Sequence, residues 1–129
     1  MCYFCDIKEK KEMVLFKGKY FFVVYDGFPV TKGHCTVVSN EHKPSFFDLS
    51  KEEVDDLYSL ILKTKELLEE KHKPDGFNIG VNEGRAAGRT VDHLHIHVIP
   101  RYFGDVSDPL GGIRWVIPDK ANYRKQPSK

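Results

Sequence analysis

TVDHLHIHVIPR, residues 90–101, decides how the rest of the chain is read. His93, His95 and His97 alternate there with Leu94, Ile96 and Val98, so half of the chain's six histidines fall within five positions. In a β-strand, residues i, i+2 and i+4 project from one face. The spacing therefore predicts a strand with an imidazole row on one side and Leu94, Ile96 and Val98 entering the core on the other, the same side to which Asp92 points. Three groups that titrate near neutral pH discourage one another from charging when crowded together. Folding gains little from such a row, and a chemical role explains it better than a structural one.

Two chemistries suit three imidazoles on one strand face. Neutral imidazole is a common ligand for zinc or iron. It is also a fair nucleophile at neutral pH, able to attack phosphorus and form a labile phosphoramidate while its neighbours orient it. The preceding residues favour the second. Asn82 and the loop Gly84 to Thr90 place amides, a hydroxyl and two arginines just before the row, as a phosphate cradle requires. A histidine-metal oxygenase or lyase would need a carboxylate ligand beside the row, and the nearest, Asp92, falls on the opposite face.

Outward from this strand, MVLFKGKYFFVVYDGFPV reads as two β-rich runs broken at Lys17-Gly18-Lys19, and GHCTVVS as a third strand. Ser50 with Glu53 forms a capping box at the start of the longest periodic segment. Val54, Leu57, Tyr58, Ile61 and Leu68 recur there at helical spacing, and Leu60 and Leu67 widen the stripe, as a broad core contact or a subunit interface would. Pro74 and Gly76 predict the helix end near Lys73. GFNIGVN is a fourth strand and HLHIHVIP the fifth. The expectation is an α+β fold: an antiparallel five-stranded meander, one long helix, room for a short extra one, and an irregular tail.

The 129 residues are expected to form a single domain, with its core over residues 2–105 and a C-terminal extension over 106–129. Composition is that of a globular protein, 40% hydrophobic and 30% charged. A net charge of +1 gives no reason to expect a protein that coats nucleic acid, and no specific nucleic-acid partner is expected. No apolar run approaches the roughly 20 residues that cross a bilayer, and the first residues lack the apolar segment of a signal peptide, so the expected location is the cytoplasm. Three cysteines, an odd count, argue for free or metal-bound thiols over a disulfide framework. Cys35 reads as a small buried residue.

His93-Leu94-His95-Ile96-His97-Val98-Ile99 resembles the signature of the histidine triad family, His-x-His-x-His followed by two apolar residues. NEGRAAGRTV and PVTKGHCTVVSNEHKPSFFDLS resemble the family's loop before the histidines and its strand-to-helix section, so the likeness spans most of residues 2–105. The resemblance implies a nucleotide hydrolase or transferase acting at the α-phosphate, of a purine nucleotide, with His95 as the nucleophile. It implies that His93 and His97 bind phosphate oxygens and orient His95. Thr90 and Asn82 would hydrogen-bond phosphate or leaving group, Asp26 would hold the ribose hydroxyls, and His34 would stand near the base. Asp26 before Gly27 also reads as a plain turn residue. Arg89 departs from the glutamine of many members. Always charged, it cannot serve as a general acid but can pair with extra phosphate oxygens, which points to a dinucleoside polyphosphate over a phosphoramidate. Histidine rather than glutamine at position 97 favours the hydrolase-like branch over the phosphorylases.

Cys2-Tyr3-Phe4-Cys5 alone reads equally as a redox pair or chance. Some bacterial members of the family resemble this chain in holding structural zinc with two such cysteines, a histidine at the position of His42, and the first histidine of the row. That set is Cys2, Cys5, His42 and His93, the alternative being free thiols beside a surface histidine. The family resemblance also implies a homodimer. The segment from Phe103 onward is expected to reach over the active site, with Arg114 and Trp115 contacting the leaving group. The rival to an enzyme is a nucleotide-binding or partner-binding module with little turnover.

Overall fold

A computed structural model describes residues 2–125; Met1 and the last four residues of the expected C-terminal extension lie outside them. Five strands form one antiparallel sheet: β1 (Val14–Lys17), β2 (Phe21–Tyr25), β3 (Cys35–Ser39), β4 (Gly76–Gly80) and β5 (His95–Arg101). Their order is β1-β2-β3-β5-β4. The meander thus runs through three strands and is then interrupted. The long helix α2 (Lys51–His72) carries the chain across the sheet and sets β4 at the far edge. β5 returns between β3 and β4, pairing with both.

α2 starts where the capping box places it. Ser50 Oγ accepts the Glu53 N–H at 3.2 Å, and Glu53 Oε1 accepts the Ser50 N–H at 3.0 Å. It ends at Lys73, whose φ of 51° is left-handed. Its buried stripe is Leu57, Leu60, Thr64 and Leu68, with Ile61 beside them. Val54 and Tyr58, read from the period as part of a core or subunit-interface stripe, are exposed. Thr64 takes a core position because its hydroxyl donates to the Leu60 carbonyl at 2.7 Å, so that hydroxyl is not buried unpaired. Asp56 on the outer part of the same helix accepts the backbone N–H groups of Lys19, Tyr20 and Phe21, fastening the β1–β2 turn. Gly18 lets that happen: a Cβ there would lie 2.6 Å from the Asp56 carboxylate.

The sheet has two covered faces. Phe21, Val23, Cys35, Val37, Leu94, Ile96 and Val98 pack under α2. The opposite face carries Phe22, Val24 and Val38 and is closed by Phe4 and Ile7 of a short N-terminal helix, α1 (Tyr3–Lys8). Along β5, buried and half-buried residues alternate, so the histidines do share a face opposite Ile96 and Val98. That face is the one under α1.

Candidate functional site

His95 and His97 project from β5, and His93 lies two residues before its first hydrogen-bonded position. Their hydrogen bonds fix where each neutral ring carries its proton. His95 Nδ1 lies 2.7 Å from the His93 carbonyl oxygen, which can only accept. His95 therefore donates from Nδ1, and its Nε2 keeps a free lone pair. His93 Nε2 lies 2.7 Å from the Ser39 carbonyl, so that ring donates from Nε2 and its Nδ1 is bare. The third assignment runs through His34. The Val30 N–H donates to His34 Nδ1 at 3.1 Å, leaving its proton on Nε2, 2.9 Å from His97 Nδ1. His97 accepts there and presents an Nε2–H outward.

Burial pushes His34 below the ordinary imidazole value, against the pull of Asp26. Burial lowers His97 too, with His95 and His34 adding to the effect and Asp26 opposing it. Both are thus held neutral. Asp26 sits 3.5 Å from His34 Nε2 and 3.6 Å from His97 Nδ1. Burial opposes its charge, but the Thr36 hydroxyl, the Phe28 amide and the two histidines outweigh that and lower its pKa. Asp26, His34 and His97 are close enough to share a metal ion. The hydrogen-bond directions oppose it, since the Val30 N–H occupies the lone pair that would have to be protonated to free Nε2.

A cavity of about 220 Å³ opens beside His95, lined among others by Tyr3, Phe4, Asp26, Thr36 and Thr90. The Phe4 ring lies 4.6 Å from that of His95. Asp26 and Thr90 thus line the same cavity as His95. Tyr3 and Phe4 were missed as wall residues; they stand between the two cysteines, and only the fold of α1 places them over the row. His34 is buried behind His97 and does not line the cavity, so its place is support for His97 and not contact with a base. The His93 ring, fully buried, cannot bind phosphate oxygens; its backbone carbonyl orients His95 instead. Asn82 is exposed beyond the Gly80–His97 pair and is not among the cavity's lining residues. Arg89 is committed elsewhere: Nη1 donates to the Pro44 carbonyl at 2.9 Å and lies 3.8 Å from Glu83, while Nε lies 3.2 Å from Asp92. The expected pairing with phosphate gains nothing from that arrangement. Arg114 likewise bonds the carbonyls of Lys120 and Ala121, away from the row.

The four expected metal ligands do converge. Donor atoms of Cys2, Cys5, His42 and His93 all lie within 4.8 Å of one another. His93 Nδ1 is 3.3 Å from Cys2 Sγ, 3.5 Å from Cys5 Sγ and 3.2 Å from His42 Nδ1. A tetrahedral zinc, with bonds of about 2.0–2.1 Å to nitrogen and about 2.3 Å to sulfur, sets donors about 3.3 Å (N to N) and about 3.6 Å (N to S) apart. The set fits. The bare Nδ1 of His93, backed by an Nε2–H to a carbonyl, is the arrangement of a metal-bound imidazole. Cys35 plays no part; burial raises its pKa to about 12, and it is a core residue.

Among the described residues no helix is long and apolar enough to cross a membrane. The HIT domain family matches residues 7–104. An uncharacterised HIT-like protein of Methanocaldococcus jannaschii is 38% identical over 107 residues, which cover 81% of this chain and 82% of that protein. A protein of Mycobacterium tuberculosis named AP-4-A phosphorylase is 32% identical over 116 residues, covering 88% of this chain but only 59% of its own length. Among solved structures, a zinc-bound histidine triad family protein of Mycobacterium smegmatis superposes with a TM-score of 0.72 at 31% identity, covering 83% of this chain and 79% of that one. With its three alternating imidazoles, their fixed tautomers and this sheet, the chain belongs to the histidine triad family.

Proposed function

We propose that the protein transfers the nucleotidyl group of a purine nucleotide, such as a dinucleoside polyphosphate, to water through a covalent intermediate on His95. The single observation that carries this is the His95 Nδ1–H held by the His93 carbonyl, which leaves Nε2 unprotonated at the mouth of a cavity containing Asp26 and Thr90. Asp26 accepts the ribose hydroxyls, for which a lowered pKa keeps it charged. Nε2 attacks the α-phosphorus; the N–P bond forms, and the bond from phosphorus to the bridging oxygen breaks. The leaving group departs as a phosphate anion and needs no proton. The His97 Nε2–H bonds a phosphoryl oxygen as charge builds on it. Water then adds to phosphorus, the N–P bond breaks, His95 regains its lone pair, and a nucleoside monophosphate leaves with a proton released to solvent.

The relative named AP-4-A phosphorylase supports a second acceptor, inorganic phosphate, which would yield a nucleoside diphosphate at the same site. His97 alone therefore does not assign the acceptor. Zinc on Cys2, Cys5, His42 and His93 would be structural, a Lewis acid that closes its own four-coordinate site and pins α1 against the row. The zinc-bound family relative and the donor spacing support that reading. A homodimer is supported by the exposed stripe Val54, Tyr58 and Leu62 on α2.

Rapid quenching with a labelled dinucleoside tetraphosphate, followed by mass spectrometry, tests the chemistry. A nucleotidyl adduct on His95 is expected, absent from His95→Asn, whose turnover falls at least about a thousandfold while nucleotide binding persists. Full turnover by His95→Asn would end the proposal. Product analysis with and without phosphate assigns the acceptor.

A further inference from the structure

The histidine face does not stop at His97. Ile99 and Arg101 follow it on the same side of β5, and Asn78 of β4 pairs with Ile99. Above them lies a second cavity, about 450 Å³, within the range of small-molecule sites. Ile99, Val106 and Trp115 give it apolar walls, and Asn78 and Arg101 its polar floor. The floor is rigid: Arg101 makes a two-pronged pair with Asp105 at 2.7 and 2.8 Å and donates to Asn78 Oδ1 at 2.6 Å. The Trp115 ring is fixed by its Nε1–H, 2.8 Å from the Leu110 carbonyl. One loop lines both cavities, the first with Asp26 and Phe28, the second with Val30 and Thr31. His95 lines the first, and along β5 His97 follows it before Ile99 of the second. From His95 to Ile99 is four strand residues, about 13 Å, a gap that a polyphosphate crosses and a phosphoramidate's amine does not.

We propose that this cavity is a second nucleoside subsite, which receives the far nucleoside of a dinucleoside polyphosphate whose near nucleoside lies beside His95. The proposal rests on the reading of His95 as the attacking group. An indole and two branched aliphatic side chains suit a planar base, which stacks on aromatic rings without regard to sequence. Charge selects against a terminal phosphate. Asp105 neutralises Arg101, and Asp108 adds a further carboxylate to the lining, so the chamber offers acceptors to ribose hydroxyls and base amino groups and repels an anion. A nucleoside triphosphate would bring its phosphates against those carboxylates, whereas a dinucleoside brings a neutral end. The C-terminal segment therefore selects substrate through Trp115, on the far side of His97 from the first nucleoside.

Trp115 is the chain's one tryptophan, so its emission reports on this cavity directly. In His95→Asn, diadenosine tetraphosphate is expected to change that emission, and AMP, at concentrations that saturate the first cavity, is not. Kinetically, Trp115→Ala should raise KM for diadenosine tetraphosphate about tenfold relative to KM for adenosine phosphoramidate, and Trp115→Phe should restore most of that ratio. Turnover of both substrates with an unchanged KM ratio and silent emission overturns the second subsite alone. Equal effects of Trp115→Ala on both substrates also overturn it, because they mark a tail that only supports the fold. Failure to turn over or bind either nucleotide sinks the reading of the His95 site itself.

Discussion

The two faces of β5 obey different rules. On one, Leu94, Ile96 and Val98 are 1%, 3% and 0% exposed under α2, and what each contributes is apolar area and volume. On the other stand three copies of one residue type whose protons sit differently: His93 and His97 carry them on Nε2, His95 on Nδ1. Neighbours of the same kind are interchangeable on the first face and not on the second, because a carbonyl can only accept and a backbone N–H can only donate. The apolar face is specified by size and the histidine face by direction.

The largest effect expected outside His95 itself comes from opening the cluster of Cys2, Cys5, His42 and His93. Cys5→Ser removes one of four donors, and a structural zinc site loses much of its hold with it. α1 should then detach, taking Tyr3 and Phe4 from the cavity wall. Expected are loss of stoichiometric zinc, rapid amide exchange over Tyr3–Lys8, a stability loss on the order of 3 kcal/mol, and weaker nucleotide binding. Retained protection over α1 in metal-free protein would show that Phe4 and Ile7 hold the helix unaided.

A smaller effect tests whether the faces are separable. Ile96→Ala empties volume between His95 and His97 but on the other side of the strand. It should cost about 2–4 kcal/mol, read from urea unfolding, while kcat of the folded fraction stays within a few-fold of the parent. A kcat as low as that of His95→Asn would mean that ring direction depends on the packing behind it.

Much of this was legible in residues alone. Strict alternation put the imidazoles on one face, Ser50 and Glu53 marked the start of α2, and Pro74 with Gly76 marked its end. The family likeness brought Cys2, Cys5, His42 and His93 together, and those four positions do converge. What was not legible depends on partners distant in sequence. α1 is six residues, too short for a helical period to register, so Tyr3 and Phe4 did not read as wall residues. The place of β5 between β3 and β4 is decided by pairing across the sheet, not by its own pattern. Periodicity put Tyr58 on the apolar stripe and passed over Thr64, because burial of a hydroxyl turns on finding the Leu60 carbonyl. The proton positions that leave His95 Nε2 bare depend on carbonyls that no side-chain pattern reveals.

The smallest effect expected is a slope in pH, and it bears on whether direction on the histidine face is held by neutrality. His34 and His97 both have folded pKa values below 6.5, chiefly through burial. Between the folded and unfolded values the unfolded chain binds more protons, so stability is full above about pH 6.5 and falls as pH drops toward the folded values. Each group contributes at most about 1.4 kcal/mol per pH unit inside that window. His34→Gln removes one of them. A glutamine can still meet the Val30 amide, so its constant offset matters less than its slope. Measured by urea unfolding from about pH 7.5 to about pH 5.5 with zinc saturating, the variant should lose stability less steeply than the parent. Acid protonation of the cluster of Cys2, Cys5, His42 and His93 acts on both proteins and cancels in the difference. Parallel slopes would mean that His34 takes up its proton in the fold as readily as in the unfolded chain. The relay from Val30 through His34 to His97 would then not keep the His97 proton on Nε2.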